Sequence, residues 1–464
     1  MEAKIEKRVT ELFLKGHQND DIYNINIRKD IMAKILPYQN LHVFNMINAM
    51  RNHQKILDGS FTGTGKTYTT IAVCAQLNLI PIIICPKSII RKWEECCEYF
   101  GICPLMCVNY ETIRKGKYFD PMNRLERIEC PYLKSNEKTI GWDFNRLDKK
   151  MSDRLVFVFD EVHRCKKHTS YNGKLLLSTN KKNFKVIMLS ATLCDRVNDF
   201  GIFGLMLGLY VNIRVGGNWI ESVIREGRNK FGKNKNVFQK YIYPEYGSKM
   251  SMEDLGADFP MNQIIVEVCV LDKKLIDRVN DCYKQLDGKQ GIGVEMITRM
   301  RENVENIKMP IFLEMIEEYF ILGRSIVVFV NYRSSLKILT EYMDKKKMDY
   351  STLIGTQNID DRTESIRKFQ ENETQIMISM IQVGGVSISL DDMDGRHPRV
   401  SLISPSFSSI ELIQVLGRIH RSSTRSPCLQ KIIYCAGTIE EHLATILRKK
   451  KNLIDNITDD DLRI

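Results

Sequence analysis

Residues 60–67 read SFTGTGKT and stand between a short apolar run and an amphipathic stretch, residues 68–77, that is predicted to be a helix. Glycines at positions 63 and 65 allow a tight turn whose backbone N–H groups close around phosphate groups. The helix that follows adds the positive end of its dipole. The sequence therefore predicts a phosphate-binding loop between a strand and a helix, which is a feature of parallel α/β sheets.

The loop residues are our candidates for holding ATP, with Mg²⁺ as the accompanying ion. They are Thr62, Gly63, Thr64, Gly65, Lys66 and Thr67, and Thr67 is also the candidate magnesium ligand. The first position of the general pattern is glycine, whereas this chain has Ser60 there. The alternative is an incidental glycine-rich turn, which gives no reason for a Lys-Thr pair at a helix start.

A second motif, VFVFDEVHRC, is an apolar strand that ends in Asp160, Glu161, Val162 and His163. Carboxylates at the C-terminal end of a parallel strand lie in the crevice where such sheets bind ligands. Asp160 is therefore expected to hold Mg²⁺, and Glu161 to orient and deprotonate an attacking water. By itself the pair would fit a solvated strand end, but together with the phosphate loop it indicates ATP hydrolysis.

A third motif, LSATL at residues 189–193, ends another predicted strand. Taken alone, its hydroxyl groups would only cap the strand exit. In the same unit as the first two motifs, Ser190 and Thr192 are candidates for relaying the state of the nucleotide to a partner domain.

A fourth motif, QVLGRIHR at residues 414–421, is expected on a helix that begins near Ser408, with Gln414, Arg418 and Arg421 on one face. Two arginines on a helix face also fit a solvated surface. With a phosphate loop in another domain, however, their guanidinium groups can neutralise charge that develops on a γ-phosphate. We therefore assign catalytic roles to these three residues and to Glu161.

The rest of the chain alternates short β-branched runs with helical stretches, as parallel α/β sheets do. Strands are predicted at residues 55–57, 80–85, 155–159 and 186–189, and again at 326–330, 375–381, 400–403 and 431–434. Helices are predicted between the later strands, at residues 334–346 and 361–371. The fold class is thus α/β with two parallel-sheet domains.

The predicted domains are residues 1–30 as an N-terminal helical extension, 31–210 as the first α/β domain, 211–310 as a helical insertion and linker, and 311–464 as the second α/β domain. Residues 205–310 show no strand rhythm. A second irregular stretch, residues 115–153, interrupts the first domain and contains Trp142. Core packing is the favoured role for Trp142 and for Trp93.

Composition narrows the class of protein. The chain has 464 residues, of which 43% are hydrophobic and 27% charged, and its mean hydropathy is −0.25, so we expect a globular chain of several domains without a membrane partner. Thirteen cysteines without paired zinc-ligand spacing indicate free thiols in a reducing compartment. A net charge of +11 suits a polyanion partner.

Together these motifs resemble those of superfamily 2 helicases and translocases, and most of all the Swi/Snf-type DNA translocases and the related poxvirus-type transcription helicases. The resemblance covers most of the chain, from LPYQ at residues 36–39 to the last predicted helix at residues 438–454. It implies two RecA-like domains with ATP in the cleft between them. LPYQ resembles the adenine-contacting motif, which gives Gln39 the role of reading adenine.

The resemblance also assigns motifs to nucleic-acid contact and to coupling between domains. CPKSIIRKW at residues 85–93 resembles the motif that grips the phosphates of the tracked strand, and VNYETI at 108–113 resembles the motif that comes next along the chain. VVFVNYRSSL at 327–336 resembles the first motif of the second domain, and GGVSISL at 384–390 resembles the nucleic-acid and coupling loop. The nucleic-acid candidates are Lys87, Ser88 and Tyr110. The coupling candidates are His163, Ser190, Thr192 and Gly385.

We therefore expect an ATP-hydrolysing, DExH-type helicase or translocase that moves along or unwinds nucleic acid, DNA in preference to RNA, in a transcription or remodelling complex. The expected location is the nucleus or cytoplasm, or the viral factory or virion if the protein is viral. An RNA helicase and a non-catalytic nucleic-acid-binding scaffold of the same fold are the alternatives. A metabolic P-loop kinase is disfavoured because it has no use for a second unit that carries arginines.

Overall fold

The computed structural model describes residues 27–120, 123, 126–135, 140–180, 184–191, 193, 197–231, 241–251, 254, 260–269, 294–384, 388–406, 408–421, 423–436, 438 and 440. The chain divides into two compact units, and the boundary between them falls at Gly256 and Ala257. Most of the predicted N-terminal extension, residues 1–26, lies outside the described residues. No helix in the described ranges is long and apolar enough to cross a membrane.

The first unit is built on one six-stranded sheet. The strands of the whole unit, in chain order, are β1 (Lys55–Asp58), β2 (Ile80–Cys85), β3 (Met106–Asn109), β4 (Lys117–Phe119), β5 (Arg127–Glu129), β6 (Leu133–Ser135), β7 (Ile140–Trp142), β8 (Leu155–Asp160), β9 (Lys185–Leu189) and β10 (Gly247–Ser248). The sheet has the order β10-β1-β9-β8-β2-β3, and its neighbouring strands are all parallel. The other four strands form two antiparallel pairs, β4 with β5 and β6 with β7.

Helices cover both faces of this sheet. They are α1 (Lys29–Met32), α2 (Gln39–His53), α3 (Lys66–Gln76), α4 (Ile90–Phe100), α5 (Tyr110–Ile113), α6 (Lys149–Ser152), α7 (Tyr171–Asn180), α8 (Gly201–Met206) and α9 (Gly216–Phe231). Alternate residues of β8 enter opposite cores: Phe157 and Phe159 pack in one apolar cluster, Val156 and Val158 in the other. Burial on both faces explains why the strands read as continuous apolar runs.

The second unit repeats this plan with its own six-stranded parallel sheet. The strands are β11 (Asn262–Cys269), β12 (Ser325–Val330), β13 (Tyr350–Leu353), β14 (Ile376–Met380), β15 (Arg399–Ile403) and β16 (Cys428–Cys435), in the order β11-β16-β15-β12-β14-β13. Its helices are α10 (Val294–Ile321), α11 (Arg333–Lys346), α12 (Ile359–Gln370), α13 (Ile381–Gly384) and α14 (Ser409–Leu416). Two apolar clusters again cover the two faces of the sheet.

The predicted fold class, two RecA-like parallel-sheet units, is confirmed, and each of the eight predicted strands is present. Residues 205–310, which show no strand rhythm in the sequence, nevertheless contain two strands: β10 extends the first sheet, and β11 forms an edge of the second. Two residues are too few to show a strand pattern in β10. Half-exposed β11, at the sheet edge, mixes polar and apolar side chains and so lacks the apolar run of a central strand.

The irregular stretch at residues 115–153 contributes the two antiparallel pairs and part of the core. Trp142 is buried, as favoured from the sequence, and its indole Nε1 donates a hydrogen bond to Ser178 Oγ at 2.9 Å. The ring of Trp142 also stacks on Phe144 and packs edge-on against Phe157 of β8. This stretch therefore closes one face of the first sheet.

A buried pair of polar side chains ties α2 to the end of β1. His42 Nε2 lies 3.1 Å from Asp58 Oδ2, and both side chains are almost fully shielded from solvent. Asp58 Oδ1 accepts a hydrogen bond from the backbone N–H of Ser60 at 2.9 Å. Burial alone would raise the pKa of Asp58, but the charge and hydrogen bond of His42, with the charge of Lys66, hold that pKa below its usual value.

We expect His42→Ala to lower the free energy of unfolding by roughly 3 kcal/mol, because it leaves Asp58 buried without its partner. His53→Ala is the matched control, since His53 lies 2.9 Å from Glu245 in a partly exposed pair and should lose less than about 1 kcal/mol. Urea unfolding of both variants measures the difference. Equal losses would contradict a special role of the buried pair.

The contribution of the same pair to the free energy of unfolding depends on pH, in a direction set by the pKa shift of Asp58. Because the pKa of Asp58 is lowered in the folded state, its stabilisation is complete above the pKa of an unfolded aspartate, about 3.9. It is lost as the pH falls through the lower, folded pKa. The stability difference between the wild type and His42→Ala should therefore shrink in strong acid.

Candidate active site

Three strands of the first sheet end at the same level. Leu189 of β9 pairs with Asp58 of β1 on one side and with Asp160 of β8 on the other. Neighbouring strands lie about 4.8 Å apart, which places the backbones of Asp58 and Asp160 about 10 Å apart. The phosphate loop, the Asp160–Glu161 pair and Ser190 thus follow strand ends at one edge of one sheet, where such sheets bind ligands.

The phosphate loop has the backbone that its glycines predict. Gly63 and Gly65 have φ of +89° and +90°, in the left-handed region that favours glycine. Helix α3 begins at Lys66, whose Nζ donates hydrogen bonds to the carbonyls of Ser60 and Phe61, both at 2.8 Å. The ammonium group is therefore folded back over the loop.

The threonines of the loop differ in exposure. Thr64 is buried, and its hydroxyl donates to the Phe61 carbonyl at 2.9 Å. Thr62 and Thr67 are half-buried. Thr67 stands in the first turn of α3, the position that the motif gives to the magnesium ligand.

Ser60 replaces the first glycine of the motif, and its hydroxyl has a structural partner. Ser60 Oγ accepts a hydrogen bond from the backbone N–H of Met250 at 2.9 Å. On either side, the N–H of Phe61 donates to Met250 O and the N–H of Gly59 donates to Ser248 O, both at 3.0 Å. The segment that contains β10 therefore runs alongside the first half of the loop, a contact across 190 residues that the local motif does not reveal.

Gln39, predicted to read adenine, lies against the phosphate loop. The side chain is buried; Nε2 donates to Thr64 O at 2.9 Å, and Oε1 accepts from the N–H of Leu36 at 2.9 Å. A Cβ atom added to Gly65 would lie 2.4 Å from Nε2. Each end of the amide thus makes one bond to the protein. Because the NH₂ group has two donors and the oxygen two lone pairs, one donor and one acceptor remain for adenine.

We expect Gln39→Ala to weaken the binding of ATP and of inorganic tripolyphosphate by similar factors, because the variant removes a brace of the phosphate loop. The loss should be roughly tenfold at most, since a neutral hydrogen bond contributes about 0.5–1.5 kcal/mol. Competition against a fluorescent nucleotide measures both ligands. A loss confined to ATP would instead support adenine reading.

Asp160, the last residue of β8, is held by hydrogen bonds to both its side chain and its backbone. Oδ2 accepts from Trp93 Nε1 at 2.9 Å, and Oδ1 accepts from the backbone N–H of Glu161 at 2.9 Å. The hydroxyl of Tyr110 donates to the Asp160 carbonyl at 2.8 Å. Burial, and then the charge of Glu161, raise the pKa of Asp160 to about 6 against the opposing effects of Trp93 and Lys66.

Glu161 connects the carboxylate pair to the third motif. Its φ of +54° is uncommon for a residue with a side chain and turns the backbone sharply after β8. Glu161 Oε2 lies 3.3 Å from His163 Nδ1, which lies 3.2 Å from Ser190 Oγ. The coupling candidates His163 and Ser190 are therefore in contact, whereas Thr192 and Gly385 lie outside the described residues.

The residues at this edge fit a magnesium ion. Mg²⁺ prefers oxygen ligands such as the Asp160 carboxylate and the Thr67 hydroxyl, supplemented by phosphate and water. Two adjacent carboxylates, one with its pKa raised by burial and by the other's charge, are an arrangement that a cation stabilises.

The three nucleic-acid candidates differ in their position. Lys87 and Ser88 are exposed in the 3₁₀ turn Lys87–Ile89 that follows β2. Tyr110 is fully buried, and its hydroxyl is engaged with Asp160. The expectation that Tyr110 contacts nucleic acid is therefore wrong, since a side chain buried beneath the site cannot reach a polymer.

In the second unit, Gln414 lies on α14, whose N-cap is Ser408, as predicted. Arg418 and Arg421 do not share the face of this helix, because α14 ends at Leu416 and Gly417 is its C-cap. They meet in the following loop instead, where Arg418 Nη1 and Arg421 Nη2 donate to the carbonyl of Ile388 at 3.2 and 2.6 Å. Arg418 is buried and Arg421 half-buried.

Comparison with known families matches each unit to a different model. Residues 32–195 match the family described as type III restriction enzyme, res subunit, and residues 310–423 match the helicase conserved C-terminal domain. The first match contains the phosphate loop and the Asp160–Glu161 pair, and the second contains Gln414, Arg418 and Arg421.

Two curated proteins and one solved structure are among those to which the chain is similar. A protein of Acanthamoeba polyphaga mimivirus, provisionally named an ATP-dependent RNA helicase, is 33% identical over 94% of this chain and 86% of its own length. The chromodomain-helicase-DNA-binding protein 1-like of Danio rerio is 20% identical over 91% of this chain, which spans 44% of that protein. The SWI2/SNF2 ATPase core of Sulfolobus solfataricus in complex with double-stranded DNA is 19% identical, with coverage of 94% and 95%, but its TM-score of 0.34 carries no weight in the assignment.

The mimivirus relative matches nearly the whole of both chains at an identity that establishes common family membership. The matched helicase model in the second unit and the phosphate-loop sheet in the first agree with that relationship. The chain belongs to the superfamily 2 helicases.

Proposed function

We propose that this protein is a DExH-type motor that hydrolyses ATP with Mg²⁺ to translocate along nucleic acid. The main observation in support of the proposal is that β1, β9 and β8 end at the same level of the sheet. That register puts a phosphate loop, a buried aspartate and a glutamate at one sheet edge. A scaffold that only binds nucleic acid would not need all three.

The proposed roles follow from the positions of the side chains. Lys66 exchanges its bonds to the Ser60 and Phe61 carbonyls for bonds to phosphate oxygens. Thr67 and Asp160 hold Mg²⁺, which when bound neutralises phosphate charge. Glu161 orients the attacking water and takes its proton onto a carboxylate oxygen as the water oxygen bonds to the γ-phosphorus. The bond from that phosphorus to the β–γ bridging oxygen breaks, and ADP leaves with its electron pair.

DNA is the polymer that we propose first, with RNA as the second candidate. The net charge of +11 and the exposed Lys87 and Ser88 near the strand ends suit a phosphate backbone, which makes binding salt-sensitive and largely independent of sequence. One relative is named for DNA binding and the other for RNA. We also propose that the protein works in a transcription or remodelling assembly, either inside the cell or in a virion or viral factory.

We expect duplex DNA to stimulate steady-state ATP hydrolysis severalfold over the rate without polymer, with single-stranded DNA and RNA as parallel tests. Glu161→Gln should keep ATP binding but lose turnover by roughly 10²–10⁴-fold, because it removes the general base. Lys66→Ala should lose nucleotide binding or hydrolysis.

These measurements separate the candidate functions. Stimulation by RNA alone would favour an RNA helicase. ATP binding without hydrolysis under any condition would favour the scaffold, and turnover that survives in Glu161→Gln would contradict the role of that residue.

The arginines of the second unit supply a separate prediction. Arg421→Ala should lower kcat by roughly 10³-fold while changing nucleotide affinity little, because an arginine that stabilises developing phosphate charge acts mainly in the transition state. Arg425→Ala removes an exposed arginine of the same loop and is the matched control. A loss of affinity with unchanged kcat would contradict a catalytic Arg421.

A further inference from the structure

Trp93 is a buried tryptophan whose only polar atom faces the metal-binding carboxylate. It lies on α4 and is among the largest fully buried side chains of the described residues. Its indole Nε1 donates to Asp160 Oδ2 at 2.9 Å across 67 residues of sequence. The other oxygen of that carboxylate accepts from the backbone N–H of Glu161.

We propose that Trp93 is a positioning residue that sets the orientation of the Asp160 carboxylate for Mg²⁺. The inference rests on the proposed function, since it concerns the metal of the same site. Trp93 contacts neither nucleotide nor metal in this role; it acts through the aspartate alone.

The chemistry of the indole makes this role directional. An indole N–H can donate but cannot accept, so the carboxylate oxygen must be the acceptor in this bond. The bond to Trp93 and the bond to the Glu161 N–H fix one acceptor direction on each carboxylate oxygen. Each oxygen has two lone pairs, so acceptor capacity remains on both for the metal and its water.

The surroundings prevent the pair from rearranging. Trp93 packs in the same apolar cluster as Ile71 and Ala72 of α3, the helix that begins with Lys66. The backbone of Asp160 is held from the opposite core by the Tyr110 hydroxyl. A single hydrogen bond thereby fixes the aspartate relative to α4. Residues that hydrogen-bond to metal ligands commonly orient those ligands in this way.

The first test measures how tightly a non-hydrolysable ATP analogue binds at rising Mg²⁺ and in EDTA. Trp93→Phe keeps an aromatic side chain but removes the donor. We expect the Mg²⁺ concentration that gives half of the full increase in analogue affinity to rise roughly tenfold. This is the lower end of the loss in metal affinity that is usual when a hydrogen-bond partner of a metal ligand is removed. Affinity in EDTA should stay within about twofold, because the phosphate loop itself is unchanged.

Trp142→Phe is the matched control. Trp142 is also buried in the first unit and also donates from Nε1, but to Ser178 Oγ, so it should leave both affinities unchanged. The inference is overturned if Trp93→Phe behaves like the wild type, if it loses affinity equally in EDTA, or if analogue binding to the wild type does not depend on Mg²⁺. Failure of the proposed motor function would instead appear as absence of ATP turnover with every polymer while these binding differences persist.

A spectroscopic measurement on the unaltered side chain covers the case in which Trp93→Phe does not fold. The chain has three tryptophans, so ¹⁵N-indole labelling gives three signals, and Trp142→Phe and Trp219→Phe assign the Trp93 signal by elimination. Addition of Mg²⁺ to the protein with the analogue should move the Trp93 signal and not that of Trp142. A stationary Trp93 signal would overturn the inference.

Discussion

The site depends on one register in the first sheet, in which Leu189 of β9 pairs with both Asp58 and Asp160. Because side chains alternate between sheet faces, a shift of one residue between these strands would turn an aspartate to the opposite face. The register is secured by burial, since both faces of β8 and β9 pack against apolar cores. The chemistry at the sheet edge is therefore a consequence of core packing within the unit.

Around this edge, buried polar groups connect the site to segments distant in sequence. The amide of Gln39 braces Thr64, the hydroxyl of Ser60 joins the β10 segment, and the indole of Trp93 holds Asp160. A buried polar group without a partner costs about 1–3 kcal/mol, so each contact opposes movement of the loop or the carboxylate.

Local patterns were sufficient to predict eight of the twelve strands in the two sheets and the phosphate loop, because β-branched runs and Gly-Lys-Thr at a helix start have few other interpretations. The strand β10 and the partners of Ser60 and Gln39 depend on contacts between distant segments, which one sequence does not reveal. Tyr110 was misassigned because its motif was interpreted as a surface contact, whereas its side chain points into the core. Gly417, directly before Arg418, could have predicted that α14 ends ahead of the two arginines, since glycine is common at the C-terminal ends of helices.

The most direct test of the account replaces Mg²⁺ with Mn²⁺ and records electron paramagnetic resonance of the protein with ATP bound. We expect ³¹P hyperfine coupling from the nucleotide in a spectrum distinct from that of Mn²⁺ and ATP in solution. Thr67→Ala and Asp160→Ala should abolish the protein-specific spectrum. A spectrum that matches free Mn²⁺–ATP, or one unchanged by both substitutions, would contradict a metal and nucleotide site at this edge of the sheet.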